Sequence, residues 1–277
     1  EPLSKGTKLL LITEQGLGDI LQFIRYALVL KEKGVYVSLC APPRLHPLII
    51  ASDIDTSPIR PEEANEVERG YWAPLLSVPM HLKVNQDNPI VTDPYIKPKE
   101  ELIIKWKSIL RQEESPTIGI NWRGNRKDKS KQGRNIPNHL FRKIHESTEG
   151  NFISLQRGSN QKEIEEIMFN KKANTQQPGI TKVADSNEPD DFHEYAAIIS
   201  NCDLVITTGS TVAHLAAGIG IPTWVLLPKI PDWRWGLEGD ATFWYPSMRL
   251  FRQTTRGDWQ RVIQEVSSAL VAMLANL

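Results

Sequence analysis

The sequence has little cysteine, no net charge and no long apolar run. Its 277 residues include two cysteines, Cys40 and Cys202, which lie far apart in apolar surroundings. This argues against a disulfide framework, and we expect two core residues in a reducing, cytoplasmic compartment. Lysine plus arginine equals aspartate plus glutamate at 33 each, so no overall field attracts nucleic acid or a membrane surface. No apolar run approaches the roughly 18 residues of a membrane-spanning helix.

Short runs rich in valine, isoleucine and leucine alternate instead with segments of helical spacing. This pattern is typical of parallel sheets covered by helices, and it predicts an α/β fold. The predicted strands are 8–13, 35–40, 117–121, 152–155, 204–207 and 223–227. One predicted helix carries Ile20 to Leu28 at helical spacing and is closed by Gly34. The others are 99–112, 191–200, 211–219 and a long amphipathic helix that follows Asp258.

A loop-like stretch divides these elements into two groups. Residues 84–98 carry prolines at 89, 94 and 98, which neither a helix nor a central strand would accommodate. We therefore predict a first Rossmann-like domain over 1–97, a second over 98–257, and a final helical segment over 258–277 that packs back on the body.

The first strand ends in EQGLGDILQF, with two glycines that are followed at once by an acid. Gly16 and Gly18 stand where a Rossmann domain cradles a pyrophosphate on backbone N–H groups. The dinucleotide fingerprint needs a third glycine where this chain has Leu21, and an acid after the second strand, which ends SLCAPP. An NAD site is therefore disfavoured. Asp19 is either a functional carboxylate or the N-cap of the helix.

A second candidate site follows the strand LVIT. The run 207–211 is TTGST, and the next helix begins within it, so free N–H groups, hydroxyls and His214 are available to an anion. The alternative is that Ser210 or Thr211 caps an ordinary helix and His214 is a core histidine.

A basic run follows the strand TIGIN, in WRGNRKDKSKQGRNIP. It contains six basic residues against one acid, namely Arg123, Arg126, Lys127, Lys129, Lys131 and Arg134. Such a run is often a solvated loop. Because it leaves a strand end beside the proposed anion site, it also suits a leaving diphosphate.

Several motifs in order resemble one known family over nearly the whole chain. They are EQGLGDILQFIRYA, WRGN with RNIP, SLQRG, DLVITTGSTVAHLAAGIG, PDWRW and WYPSMRLFRQ with GDW. This set resembles the glycosyltransferase domain found behind tetratricopeptide repeats in many bacterial proteins, which is similar to the ADP-heptose lipopolysaccharide heptosyltransferases of glycosyltransferase family 9. The resemblance implies a GT-B architecture: two Rossmann-like domains facing across a cleft, with a C-terminal helix crossing back to the first domain. It also implies upstream tetratricopeptide repeats.

The same resemblance assigns roles to individual residues. Asp19 matches the general base that takes the proton of the acceptor hydroxyl, and Gly16, Gly18 and Gln22 fall in its acceptor and phosphate loop. The residues it implies for donor binding are Trp122, Asn125, Arg134, Gln156, Ser210, Thr211, His214 and Asp232. One position departs from the family, because Gly209 replaces an aspartate of the diphosphate-binding block.

The function implied is an inverting, metal-independent transfer of a sugar from a nucleoside-diphosphate sugar to an acceptor, which is a glycan, a lipid-linked saccharide or a protein. No cofactor is expected. The sequence Asp53-Ile54-Asp55 invites a metal-dependent interpretation, but no other residue with ligand spacing accompanies it. The alternative function is a non-catalytic nucleotide- or glycan-binding module, which the loss of the aspartate at Gly209 favours.

Overall fold

A computed structural model of the chain describes residues 3–67, 70–90, 94–110, 115–124, 133–148, 150–158, 163, 166–167, 169–170, 175–176, 181–182 and 192–276. Within them the chain forms two parallel sheets covered by helices. This confirms the predicted α/β class.

The first sheet has three parallel strands in the order β2-β1-β3. They are β1 Lys8–Ile12, β2 Tyr36–Cys40 and β3 Tyr71–Pro74. Leu9 and Leu11 of β1 pair with Val37 and Leu39 of β2, and all four side chains lie in the hydrophobic core. The alternation along these strands therefore fixes which face of the sheet is covered.

The second sheet has six parallel strands in the order β11-β10-β9-β4-β5-β8. They are β4 Thr117–Asn121, β5 Asn151–Ser154, β8 Thr181–Lys182, β9 Leu204–Thr208, β10 Thr223–Leu227 and β11 Met248–Arg252. Two-residue strands β6 Phe169–Asn170 and β7 Thr175–Gln176 form a separate antiparallel pair. Strands β4, β9 and β10 are buried on both faces, as central strands of a parallel sheet should be.

Helices connect the strands of both sheets. The α-helices are α1 Leu17–Phe23, α2 Arg25–Glu32, α3 His46–Ala51, α4 Val78–His81, α5 Glu100–Leu110, α6 Asn138–Glu146, α7 Phe192–Ile199, α8 Thr211–Ile219 and α9 Trp259–Leu274. Within the described residues, 3-10 helices also occur at Pro43–Leu45, Pro61–Glu66, Leu75–Ser77 and Trp233–Trp235. Helix α8 ends at Gly220, whose φ of +92° is a left-handed conformation that favours glycine.

The segment between the sheets packs against α8. The backbone N–H groups of Tyr95 and Ile96 both donate to the carbonyl of Gly218 at 3.0 Å. A Cβ at Gly218 would lie 2.6 Å from Ile96, so glycine is required for this approach. The predicted domain limits at 97 and 257 remain a prediction, since one hydrophobic cluster joins side chains of both sheets.

The last helix differs from the prediction in where it packs. Helix α9 begins after Asp258, whose side chain accepts a hydrogen bond from the Arg261 N–H as a cap. Its apolar stripe was expected to cross back to the first domain, yet it packs on α6 and β11 of the second. The reason is the match between that stripe, which includes Val262 and Val266, and the apolar outer face of the second sheet. Over the residues described, none of these helices is long and apolar enough to cross a membrane.

Candidate active site

A cleft of about 730 Å³ opens at the carboxyl end of β1 in the first sheet and of β9 and β10 in the second. Helix α1, which follows β1, packs against α8, which follows β9. A Cβ on Gly18 would lie 3.0 Å from Cδ2 of His214 and 3.5 Å from Cα of Thr211. The glycine at position 18 is thus explained by the close approach of α8. Both helices direct their N-termini toward the cleft.

Asp19 lies in the first turn of α1 and lines this cleft. One carboxylate oxygen, Oδ2, accepts the N–H of Gly16 at 2.9 Å, as a capping residue does. The other, Oδ1, accepts from Nη2 of Arg234 in an ion pair across the cleft. The N-cap of α1 is Gly16, so the N-cap interpretation of Asp19 is wrong. Asp19 is instead the N3 partner in a capping box, and its side chain, 22% exposed, pairs across the cleft.

Arg234 is the cleft residue that the sequence interpretation missed. Its guanidinium also donates from Nε to Oε1 of Gln22 at 2.7 Å and from Nη1 to Oδ1 of Asp232 at 2.8 Å. The 3-10 turn Trp233–Trp235 presents it, and the Asp232 carboxylate caps that turn by accepting the Arg234 N–H. PDWRW carried the only signal for it, in the arginine that two tryptophans flank.

Arg134 lies on the same side of the cleft as Arg234, since both contact Asp232. Its Nη1 donates to the Gly209 carbonyl at 3.3 Å and its Nη2 to Oδ2 of Asp232 at 3.4 Å, with the side chain 18% exposed. Asp232 therefore lies between two guanidinium groups. Burial raises the pKa of Asp232, but hydrogen bonds and charge from Arg234, with Arg134 behind them, outweigh it, so this pKa lies below its usual range. The carboxylate stays ionised near neutral pH.

The N-terminus of α8 rests on a buried polar network. Ser210 is the N-cap residue, and its hydroxyl donates to Oδ1 of Asn121 at 3.1 Å, as does the hydroxyl of Thr207. The amide of Asn121 donates in turn to Oε1 of Gln156 at 3.1 Å. Since these side chains come from the ends of β4, β5 and β9, the network fixes the loop that carries the N-terminus of α8.

His214 lies beneath the cleft as a neutral ring. It stacks on Trp235 with ring centroids 5.4 Å apart, and its Nδ1 shares a hydrogen bond of 3.0 Å with the Tyr245 hydroxyl. Burial, followed by the charges of Arg234 and Arg25, lowers the pKa of His214 to about 3. A histidine with this pKa does not exchange protons near neutral pH, so its contributions here are packing and hydrogen bonding.

Gly209 lies close to the indole ring of Trp235. A Cβ at this position would lie 3.0 Å from Nε1 of Trp235 and 3.5 Å from Cδ2 of Leu227. The indole therefore occupies the space that a larger side chain would need at the position where the resemblance expects an aspartate.

The cleft brings together most of the residues that the sequence implicated. Those that line it are Gly16, Gly18, Asp19, Arg134, Ser210, Thr211, His214 and Asp232. Gln22 and Gln156 do not line it; they are buried and support Arg234 and Asn121 from behind. Asn125 lies outside the described residues.

Trp122 does not line the cleft, which corrects its assignment to donor binding. Its side chain is 1% exposed and packs near Phe141, with ring centroids 6.1 Å apart, in the core beneath α6. Arg123 also points away from the cleft, toward Glu163 at 2.9 Å. Of the basic run, 126–131 lies outside the described residues.

The aspartates of the Asp-x-Asp sequence lie outside this cleft. Asp55 is buried, and its two carboxylate oxygens accept the N–H groups of Leu39 at 2.6 Å and Ser57 at 3.0 Å. Both oxygens are thus used to hold the turn after α3. Within the described residues there is no cluster of three or more histidine, cysteine or acidic side chains able to hold a metal ion.

Comparison with known proteins finds the same fold. No family model matches the chain. The curated Protein FlbA of Caulobacter vibrioides is 25% identical over 285 residues, which cover 96% of this chain and 46% of that protein. The chain thus spans about half the length of this relative.

Solved structures match along the whole length of the chain. The ADP-heptose lipopolysaccharide heptosyltransferase II of E. coli matches 98% of this chain and 99% of its own, with a TM-score of 0.62 and 16% identity. The glycosyl transferase family 9 protein of Veillonella parvula matches 99% and 98%, with a TM-score of 0.67 and 11% identity. The E. coli heptosyltransferase WaaC, solved with ADP, matches 98% and 99%, with a TM-score of 0.51 and 10% identity. At these identities the likeness shows the fold, which is the GT-B arrangement that the motifs predicted.

Proposed function

We propose that this chain is a glycosyltransferase domain that moves a sugar from a nucleoside-diphosphate sugar to an acceptor hydroxyl with inversion. The observation that carries the proposal is the pairing across one cleft of a carboxylate, Asp19, with an anion-binding wall. That wall consists of Arg134, Arg234 and the N-terminus of α8. The solved relatives with this fold include heptosyltransferases, one of them crystallised with ADP.

The anion-binding wall would receive the leaving diphosphate. As the bond between the anomeric carbon and the diphosphate oxygen breaks, negative charge develops on that oxygen. Two guanidinium groups and the free N–H groups of the first turn of α8 stabilise such charge, because they lie together in a partly buried site. Fixed positive charge of this kind performs the role that a metal ion has in other transferases, so we propose a metal-independent reaction.

The carboxylate would act on the other side of the sugar. Asp19 accepts the proton of the acceptor hydroxyl while the acceptor oxygen forms its bond to the anomeric carbon, opposite the departing diphosphate. Attack from the face opposite the leaving group inverts the configuration at that carbon. A general base of this kind contributes about 100- to 10,000-fold to the rate.

A non-catalytic binding module is the second candidate, and Gly209 is the observation that favours it. Because glycine has no side chain, the anion-binding wall lacks a carboxylate that the family resemblance expects at this position. A binding module would retain the anion site and lack turnover, so the two functions separate in one experiment.

The first step of that experiment is a calorimetric titration of the purified chain, without divalent metal, with UDP, GDP, ADP, CMP and their sugar conjugates, which tests the anion site that both candidates share. We expect selective binding of one nucleoside diphosphate. Arg134→Ala should weaken it by about 1.5 to 3 kcal/mol because a charge-assisted contact is lost. Arg261→Ala is the matched control, since that arginine is exposed on α9 and pairs with Glu265 away from the cleft. Absence of binding by a folded chain would refute a donor site.

Turnover then distinguishes the two candidates. With the donor class known, release of the nucleoside diphosphate in the presence of candidate glycan, lipid-linked and protein acceptors should fall about 100- to 10,000-fold in Asp19→Asn. Binding without turnover on any acceptor, and without donor hydrolysis, would favour the module. The cytoplasmic location and the upstream tetratricopeptide repeats also remain proposals.

A further inference from the structure

Arg234 connects the two units at the edge of the cleft. It is held by acceptors from both sides, namely Asp19 and Gln22 of α1 and Asp232 of its own loop. Its side chain is only 9% exposed. An arginine has five N–H donors in a planar fork, and here three of its nitrogens are used by three side chains.

The charges at this point leave little room for a further anion. Arg234 lies between two carboxylates, those of Asp19 and Asp232, while the second guanidinium, Arg134, also contacts Asp232. An arriving diphosphate would meet both carboxylates. Because like charges repel strongly in a partly buried site, anion binding there requires a guanidinium to change partners.

The proton acceptor has a related constraint. Both oxygens of Asp19 are engaged, one by the Gly16 N–H and the other by Arg234. If Asp19 took up a proton while still paired, it would lose its charge and leave the guanidinium paired only with Asp232. The Oδ1 atom that would receive the proton is therefore occupied until Arg234 releases it.

We propose that Arg234 is a donor-binding residue that exchanges partners. Without ligand it pairs with Asp19. A bound diphosphate takes the Nη2 donor and frees the Oδ1 atom of Asp19 for the acceptor hydroxyl. Donor binding thereby precedes and enables base function, and the protein binds its substrates in that order. This inference rests on the proposed function and names the group that links its two halves.

The test uses inorganic pyrophosphate as the probe, titrated by calorimetry into the whole chain. If Asp19 competes with the anion for Arg234, Asp19→Asn should raise pyrophosphate affinity about three- to tenfold, since the competing ion pair is weakened. Arg234→Gln should lower affinity, and Asp19→Asn should give no gain when combined with it. Misfolding cannot produce a gain in affinity, so the result for Asp19→Asn is not open to that explanation. If Arg234→Gln does not fold, Arg234→Met takes its place in the comparison of single and double variants.

The matched control is Glu265→Gln, which removes one carboxylate from an ion pair with Arg261 on the exposed face of α9. It should leave pyrophosphate affinity unchanged. Two results would overturn the exchange while leaving the anion site in place: binding that Asp19→Asn does not improve, or a gain of equal size in the Arg234→Gln background, which general repulsion would produce. If neither pyrophosphate nor any nucleoside diphosphate binds, the proposed function fails together with the exchange.

Discussion

Arg25→Lys is the substitution whose cost the structure predicts most directly. Arg25 begins α2 and is 2% exposed. Its guanidinium donates to the carbonyl of Gln22 at 2.8 Å, to the carbonyl of Trp244 at 2.7 Å and to the hydroxyl of Tyr95 at 3.2 Å. It also lies over two rings, 4.7 Å from the centroid of Tyr95 and 4.2 Å from that of Tyr245. Among the described residues no carboxylate forms an ion pair with it.

Lysine would keep the positive charge but would lack the planar, forked arrangement of N–H donors that a guanidinium has. A single ammonium nitrogen cannot reach three acceptors that a planar guanidinium meets from three different nitrogens, so we expect at least two contacts to be lost. A hydrogen bond to a charged group contributes about 1.5 to 3 kcal/mol, so the free energy of unfolding should fall by about 3 kcal/mol or more. Urea titration followed by tryptophan fluorescence measures this fall as a lower midpoint at unchanged slope.

The matched control for Arg25 is an exposed arginine that also covers aromatic rings. Arg249 lies 4.8 Å from the ring centroid of Phe251 and 6.0 Å from that of Trp224, on the surface of the second sheet. Arg249→Lys should change the unfolding free energy by no more than about 0.5 kcal/mol. If Arg25→Lys costs less than about 1 kcal/mol, the fork geometry is not what stabilises this contact.

The close approach at Gly209 makes alanine costly there, because the Trp235 indole that faces it is stacked on His214. Gly209→Ala should lower the unfolding free energy by about 1 kcal/mol through overpacking, whereas Gly124→Ala, whose Cβ would meet nothing within 4 Å, should be neutral in the same urea titration. The neutral ring of His214 predicts a pH effect. Because burial lowers the pKa of His214 to about 3, the unfolded chain takes up this proton first on acidification. Wild type should therefore lose about 2 kcal/mol more than His214→Gln between pH 7 and pH 5, and equal losses would show that His214 is charged when folded.

The strands and helices that the sequence predicted share a simple signal. Apolar runs such as TIGIN and TWVLL became central strands because they are buried on both faces, where only hydrophobic residues fit. Two of the missed strands, β3 and β11, are partly exposed. Tyr71–Pro74 has an exposed first half and ends in proline, and two arginines interrupt Met248–Arg252. Edge strands have a solvated side, so their pattern resembles that of a loop.

The candidate site was predictable where function and local structure share a signal. Gly16, Gly18 and Ser210 stand at strand ends that begin helices, and such places are visible in one sequence. The ion pair of Asp19 with Arg234 joins residues 215 positions apart, and no local pattern reports such a partner. Trp122 was misassigned because its burial depends on α6, a helix that the sequence interpretation did not include.

The two arginines that join the units differ in what holds them, and this gives the cleft an unequal response to ionic strength. Arg234 pairs with the Asp19 carboxylate at the edge of the cleft. Arg25 lies about 9 Å from Asp19 along α1 and α2 by helical rise, and it contacts carbonyls and aromatic rings. Dissolved ions screen charge pairs that water can reach and have little effect on buried dipoles and rings. Raising the salt concentration should therefore weaken the pair of Arg234 with Asp19 more than the contacts that hold Arg25.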